Sequence, residues 1–506
     1  MVLVVLSSLA GGVIRVKRTP LDVPLLVFTG TAAVSTLLSV NLNVALFGTY
    51  SRFDGLFTLA TYAAVFWLAV QSISSAREAK AVLRSLLVGG YLVALIAIGQ
   101  WCVDSLSGQL DVRAFGTLGN PNVLGAYLVL LCPLVYAELR DARSPAGRLL
   151  AANVLLTMGV ALLLSVSHSA WLGLAAAAAV LLAGRQLPAV RSRRRVLLTL
   201  AVLGAGLLAA APIALSRGTD VSQRIHIWQD TLRLVASRPL LGYGPDTFGL
   251  VYPGFQSGQW VLGYVQVDKA HSEVLQVAAT QGLAGLAAWA WLMAAFMLAF
   301  WRGRSEEGAW AMLAGWAAYL VVLLVNFTAL AAAVPFWIFA AAAVVRWHGV
   351  REVTFTPARA RLAVAVAQIA VVAALVAATV PAVILPYLAD AKLKEAVDAD
   401  FGRLPRQMAA RPAAAAHALA PQESVYAVEV GNIAFEYGSW SDARTAYGAA
   451  SSLGTFSPLV YRNLALADLR LGLRPEALAA AKEAAFLDRF DPANQAVLAQ
   501  TLAPGP

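Results

Sequence analysis

A polar stretch over residues 220–285 interrupts an otherwise apolar chain and contains residue types suited to acid–base and anion chemistry. Within it, His271 precedes a helical pattern, SEVLQVAATQ, that ends at Gly282. The dipole at a helix N-terminus disfavours imidazolium, so this histidine is expected to be neutral, as a general base must be; the alternative is a structural or capping histidine. Arg224 falls in the first turn of a helix predicted to start near residue 221, where free amides and a guanidinium together favour an anion; the alternative is a solvated charge.

The composition predicts a membrane protein that holds this stretch between helices. The chain has 506 residues, of which 59% are hydrophobic and 13% charged, with a mean hydropathy of +0.70. The two cysteines provide neither a disulfide framework nor a metal site. Apolar runs long enough to cross about 30 Å of hydrocarbon predict an all-α, polytopic bundle of twelve spans. These runs lie near 1–14, 21–40, 55–74, 82–102, 121–138, 149–167, 169–184, 196–215, 282–301, 309–327, 329–346 and 362–386.

The loops between these runs differ in charge. The net charge of +10 resides mostly in alternate short loops, so it indicates membrane orientation and not nucleic-acid binding. The positive-inside rule then places the loop 216–281, with His271, outside the cytoplasmic membrane. The basic clusters assigned to the cytoplasm lie near residues 15–18, 77–84, 140–148, 185–195, 302–304 and 346–361.

The chain after the last span is polar and alanine-rich, which predicts a second domain over residues 389–506, after a membrane domain over 1–388. Small residues and prolines recur there with a period of 34, as when Gly438 matches Gly472 and Pro458 matches Pro492. This pattern resembles two tetratricopeptide repeats, joined to the last span by a helical segment over 390–424. We expect the repeats to pack on the membrane domain or on a protein partner; the alternative is a plain helical cap.

The polar stretch also resembles a known signature. His271 and the serine after it are followed by nine residues, then Gly282, two more residues and Gly285. This spacing is similar to His-[Asn/Ser/Gln]-x9-Gly-x-x-[Gly/Thr/Tyr] of the bacterial O-antigen ligase and polymerase superfamily. The segment SRPLLGYGPDTF, preceded by Arg224 and Trp228, resembles the large outer loop of that family. The resemblance covers residues from about 50 to 330.

This resemblance implies an activity. It implies metal-independent, cofactor-free, inverting glycosyl transfer on the outer face of the cytoplasmic membrane. The donor would be a saccharide on undecaprenyl diphosphate, and the acceptor another sugar, a lipid-linked glycan or a protein hydroxyl. His271 would take the proton of the acceptor hydroxyl, and arginines would stabilise the leaving diphosphate at the membrane edge.

Four further residues belong to this hypothesis. Arg52 and Arg113 lie at outer ends of predicted spans, where they would bind the diphosphate or contact lipid head groups. Glu273 would orient the acceptor or the imidazole, or favour the helix N-terminus. His168 stands where many family members have arginine, so its contribution to phosphate binding ranks below that of Arg224.

Other functions remain open. A ligase, a polysaccharide polymerase and a protein O-oligosaccharyltransferase share the outer loop and differ in their acceptor. A lipid-linked glycan flippase or exporter would also be polytopic, although it would not need a histidine at the head of an outer helix. A membrane scaffold would use the repeats and leave the histidine–glycine motif without a role.

Overall fold

The structure is a computed structural model, and most of the residues that it describes lie in α-helices. It describes residues 14–50, 52–109, 112–186, 219–258, 266–306, 308–348, 350–355, 358–380, 384–400 and 408–503. Of the twelve predicted spans, 196–215 and all but the last residue of 1–14 lie outside this part of the chain. The other ten overlap helices, so the helical class and the approximate positions of these elements are confirmed.

Twelve of the described α-helices lie between residues 22 and 348. They are α1 (Asp22–Leu37), α2 (Leu42–Phe47), α3 (Leu56–Ser72), α4 (Ala76–Leu106), α5 (Pro121–Asp141), α6 (Pro145–Leu164), α7 (His168–Gln186), α8 (Thr219–Ser237), α9 (Phe248–Val251), α10 (Glu273–Gly303), α11 (Ala309–Leu324) and α12 (Leu330–His348). Five of them, α4, α5, α6, α10 and α12, are long and apolar enough to cross a membrane, and α1, α3, α7 and α11 are shorter apolar helices. The chain is therefore a multi-pass membrane protein, and the count of twelve spans stays a prediction.

Helix α5 lies at the centre of the bundle. All its residues from Leu124 to Val135 are buried, and it packs against α4, α6, α7, α11 and α12. Glycines allow the close crossings: a Cβ added at Gly315 of α11 would lie 2.2 Å from the carbonyl oxygen of Leu130. Asn120 caps α5 by accepting hydrogen bonds from the amides of residues 122 and 123, and Pro121 occupies its first turn.

A small two-stranded antiparallel sheet accompanies the helices and leaves the predicted all-α class unchanged. Strands β1 (Ile14–Arg18) and β2 (Arg351–Phe355) pair with Arg18 opposite Arg351. Lys17 is buried, and its ammonium donates to the carbonyl of Ile73 at 2.7 Å. The sequence patterns missed this sheet because its strands come from opposite ends of the membrane domain, and each is too short to show a period of two.

Helix α10 is interrupted where the sequence places a helix end. Gly282 has φ 69° and ψ −173°, so the chain leaves the helical conformation between the segment after His271 and the long apolar segment. The loop 239–244 fits into this break: the amides of Leu283 and Ala284 donate to its carbonyls, and its own amides donate to carbonyls of α10. Only glycine fits here, since a Cβ at Gly282 would lie 2.2 Å from the carbonyl oxygen of Leu240.

The C-terminal helices repeat at the predicted interval. After α13 (Ala358–Thr379), α14 (Leu385–Asp400) and α15 (Ala410–Leu419), two helical hairpins and a last helix follow. Equivalent helices start 34 residues apart, at residues 424, 458 and 492 and at residues 440 and 474. These are α16 (Ser424–Glu436), α17 (Trp440–Ser452), α18 (Pro458–Arg470), α19 (Arg474–Leu487) and α20 (Pro492–Leu502). Their tetratricopeptide identity stays a prediction.

These helices pack on two loops of the membrane domain. In the loop region 41–54, which includes the short helix α2, Asn43 donates to the carbonyl of Leu453 at 3.1 Å, and the Tyr50 hydroxyl donates to Asp390 at 2.5 Å. In the second loop region, which follows α8 and includes the short helix α9, the ring of Phe456 lies against Gly249, and Arg489 donates to the carbonyl of residue 256. The C-terminal helices therefore lie at the end of the bundle that carries His271.

Candidate functional site

The turn between α11 and α12 brings four of the six predicted site residues together. A guanidinium nitrogen of Arg224 donates to the carbonyl of Val325 at 2.6 Å. Two residues later, the ring of Phe327 contacts both the imidazole of His271 and the guanidinium of Arg52. Glu273 accepts a hydrogen bond from the amide of Thr328 at 2.8 Å. The turn 325–328 is therefore the common support of these side chains.

His271 is the residue immediately before the N-cap of α10. Its backbone has φ 49°, in the left-handed region that residues other than glycine seldom adopt, and Ser272 returns to an extended conformation as the N-cap. The half-buried imidazole packs edge-on against Phe327, with 5.6 Å between ring centroids. Strained backbone conformations of this kind persist only where surrounding contacts hold them, and they are concentrated at functional sites.

Glu273 is the first residue of α10 and faces the turn. Its hydrogen bond from the Thr328 amide ties the N-terminus of α10 to the chain between two membrane helices. Its carboxylate also lies in the first turn, where the helix dipole stabilises negative charge. The predicted role in orienting the acceptor or the imidazole stays a prediction.

Arg224 differs in placement from the sequence expectation. Helix α8 begins at Thr219, so Arg224 lies in its second turn and is not among the first amides. The side chain is half-buried and oriented by the Val325 carbonyl. One turn further along, the indole nitrogen of Trp228 is buried, with no hydrogen-bond partner among the described residues.

Arg52 makes an ion pair that the sequence did not predict. Its Nε donates to one carboxylate oxygen of Asp268 at 2.5 Å and a terminal nitrogen donates to the other at 3.1 Å. The guanidinium carbon also lies 4.9 Å from the centroid of Phe327. This two-pronged pair joins the loop 49–54 to the residues just before His271.

A second ion pair lies beside the first and is almost fully buried. Lys269 is 1% exposed, and its ammonium donates at 2.7 Å to both Asp54 and Asp246. Burial acts to lower the pKa of Lys269, but the two carboxylates outweigh it and raise the pKa above its ordinary value. Burial raises the pKa of Asp54 to about 6, against the opposing effect of Lys269.

Sequence reasoning missed Lys269, Asp54 and Asp246 because a charged residue in a loop looks the same whether it is solvated or buried. The available signal was proximity in the sequence. Lys269 lies two residues before His271, Asp54 two residues after Arg52, and Asp246 in the segment SRPLLGYGPDTF that the sequence analysis singled out.

Arg113 and His168 form a separate group around the turn between α6 and α7. Arg113 donates to the carbonyls of Ser165 and Val166 at 3.0 and 3.2 Å. His168 is exposed at the start of α7 and packs edge-on against Trp171.

The two groups lie at the same end of the bundle. Helix α7 runs against α11, and Gly173 approaches Ala318 and Val322 there. The beginning of α7, with His168, is therefore near the end of α11, which leads into the turn 325–328.

Part of the chain matches a protein-family model. No curated protein matches the chain. Residues 153–290 match the family model described as O-antigen ligase, a segment that contains Arg224, His271, Gly282 and Gly285. Together with the membrane helices, this match supports the O-antigen ligase superfamily and an O-antigen ligase-like membrane enzyme of the glycosyltransferase type.

Proposed function

We propose that the protein is a membrane glycosyltransferase that transfers a saccharide from undecaprenyl diphosphate to an acceptor hydroxyl. The observation that carries this proposal is the convergence of His271, Arg224 and Arg52 on the turn 325–328. A base beside fixed cations at the end of a bundle of membrane helices is the arrangement that a lipid-diphosphate donor requires.

The reaction is a single displacement. The acceptor oxygen forms a bond to the anomeric carbon of the donor saccharide as the bond from that carbon to the diphosphate oxygen breaks. Undecaprenyl diphosphate leaves with the electron pair, and His271 takes the hydroxyl proton. One displacement at the anomeric carbon inverts its configuration.

The two arginines near the turn differ in their expected contribution to donor binding. The guanidinium of Arg224 donates to the carbonyl of Val325, which orients it. Asp268 neutralises much of the charge on Arg52 and accepts from two of its five N–H donors. Because Asp268 occupies Arg52, and Arg224 lies in the segment that matches the O-antigen ligase family model, we assign the main diphosphate contact to Arg224 and a secondary one to Arg52. Arg113 and His168 would contribute from the neighbouring turn.

The proposal includes the orientation and the acceptor side. The alternating basic loops favour a site on the outer face of the cytoplasmic membrane, where the lipid leaving group stays in the bilayer. The C-terminal helices pack on the loops around the site, so we propose that they bound the acceptor entrance and dock a protein or cell-surface glycan.

The decisive experiment tests His271 in the purified protein. Wild-type protein in detergent, given an undecaprenyl diphosphate-linked saccharide and an acceptor, should release undecaprenyl diphosphate. His271→Ala and His271→Gln should both lower turnover about 10²–10⁴-fold, because neither accepts a proton near neutral pH. His417→Gln, a histidine substitution in the C-terminal domain, should retain wild-type turnover. A glutamine variant with restored activity would identify His271 as structural, and no release by wild type would reject the transferase.

The donor site is tested separately through Arg224. Arg224→Ala should lose most of the donor turnover, whereas Arg224→Lys should retain part of it, since lysine keeps the charge without the two-pronged geometry. Binding of the donor, measured without acceptor, should weaken in the same order. Wild-type binding and turnover in Arg224→Ala would exclude this role.

A further inference from the structure

Asp268 and Lys269, which precede His271, form ion pairs with the loop that carries Arg52. Asp268 is bound to Arg52 through two hydrogen bonds, and Lys269 is bound to Asp54 through one of 2.7 Å. The two ion pairs join the same two segments with opposite polarity. The segment before His271 supplies the carboxylate of the first pair and the ammonium of the second. They therefore fix the position of residues 268–271 relative to the loop 52–54.

Lys269 also joins a third segment. Asp246 accepts from its ammonium at 2.7 Å and from the backbone amide of Thr49 at 2.7 Å. Asp246 is 4% exposed and has φ 56°, so its conformation is held by this network. The loop 239–246, which also fills the break in α10, is thereby connected to the same ammonium group.

The charges around Lys269 are mostly negative. The ammonium lies 6.0 Å from the centroid of Phe327, the ring that contacts both His271 and Arg52. Among the described residues, the charged and titratable groups on the packed segments are the carboxylates of Asp54, Asp246, Asp268 and Glu273, the cations Lys269, Arg52 and Arg224, the imidazole of His271, and the buried phenols of Tyr62 and Tyr319. Without Lys269, the uncompensated carboxylates would favour a protonated imidazole.

We propose that Lys269 is a positioning residue for the transfer reaction: its ion pairs hold His271 on Phe327 beside Arg52 and keep the imidazole neutral by balancing Asp54 and Asp246. This inference rests on the proposed function. Lys269 itself is too deeply buried to touch the substrate. It therefore acts through the position and protonation of His271.

The test is the pH dependence of undecaprenyl diphosphate release by the purified, full-length protein. Lys269→Met removes the charge and retains the length of the side chain. The acidic limb of its rate profile should shift to higher pH by about one unit, as expected when nearby negative charges lose their counter-ion. Such a displacement makes the variant up to about tenfold slower than wild type below the limb.

A second variant separates charge from packing. Asp54→Asn removes one carboxylate but retains an oxygen that accepts from Lys269. The acidic limb of this variant should shift to lower pH. This variant also decides the question if Lys269→Met does not fold. Lys394→Met, at a lysine on α14 whose side chain is 70% exposed, is the matched control and should leave the profile in place.

The two proposals fail differently. If wild type releases no undecaprenyl diphosphate, the transferase itself is rejected. If wild type is active but the limb stays in place in folded Lys269→Met, or in Asp54→Asn, Lys269 has only a structural role and the inference is overturned.

Discussion

Replacing Gly282 by alanine should strongly destabilise the end of the bundle that carries His271. The added Cβ would lie 2.2 Å from the Leu240 oxygen and 2.4 Å from the Leu241 nitrogen, both backbone atoms that cannot rotate away. The backbone conformation, φ 69° and ψ −173°, also belongs to a region occupied almost only by glycine. Either the loop 239–244 or the helix break must move.

The cost has two parts. The backbone conformation contributes about 1–3 kcal/mol. Relief of the contact requires a displacement of about 1 Å, which breaks at least two of the four backbone hydrogen bonds between the loop and α10 at about 1 kcal/mol each. The sum is about 3–5 kcal/mol, a large share of the roughly 5–15 kcal/mol that stabilises a typical folded domain.

Thermal unfolding in detergent and limited proteolysis measure this effect. Gly282→Ala should unfold at a lower temperature and expose the loop 239–244 to protease, and transfer activity should fall because His271 lies on the same segment. Gly159→Ala is the matched control: it lies within α6 with nothing within 4 Å of the added Cβ. It should be neutral or more stable by up to about 1 kcal/mol. Equal unfolding temperatures for the two variants would refute the fit of the loop into the break.

Three other predictions follow from particular contacts. Burial, together with a smaller effect of the negative charge of Asp390, raises the pKa of Glu423 from 4.5 to about 7. The protonated carboxyl therefore stabilises the fold, and this contribution is lost as pH rises through about 7. Glu423→Gln should therefore match wild type in unfolding temperature at pH 4.5 and be more stable at pH 8, by up to about 3 kcal/mol. Arg113→Ala removes hydrogen bonds to two carbonyls of the α6–α7 turn and should reduce donor turnover less than Arg224→Ala does; an equal loss would contradict the ranking. On a background without the native cysteines, cysteines at the exposed positions Ser257 and Ser441 should both react with a membrane-impermeant thiol reagent on cells with a permeabilised outer layer, and labelling of only one would overturn the proposed orientation.

The elements of the fold that sequence predicts well depend on local patterns. Apolar runs marked ten described helices, and the break at Gly282 followed from a polar segment that ended in a glycine. The start of α5 at Asn120 and Pro121 is likewise a local feature, because a cap involves only neighbouring residues. The pairing of β1 with β2 could not be found in this way, since it joins segments from opposite ends of the membrane domain.

The candidate site was predictable only in part for a related reason. His271 and Arg224 were selected by residue type and motif, and the structure shows both next to the turn 325–328. The turn itself has no charged residue: it contributes a carbonyl, an amide and the ring of Phe327. A search by chemically reactive types passes over such groups, and it also cannot distinguish the buried ammonium of Lys269 from a solvated one.

The position of the turn has a mechanical consequence. It connects α11 to α12, and both helices pack in the apolar core of the bundle, so its backbone groups are fixed by the membrane domain. Arg224 and Glu273 each form a hydrogen bond with one of these backbone groups. The loop 49–54 is held from the opposite side, because Tyr50 donates to Asp390 at the start of the C-terminal domain. Arg52, Arg224 and Glu273, from three separate segments, thus lie around the turn 325–328. The membrane helices fix this turn, and the C-terminal helices hold the loop 49–54. A substitution in either layer that leaves every site residue intact, such as Tyr50→Phe, is therefore expected to change donor turnover by displacing Arg52.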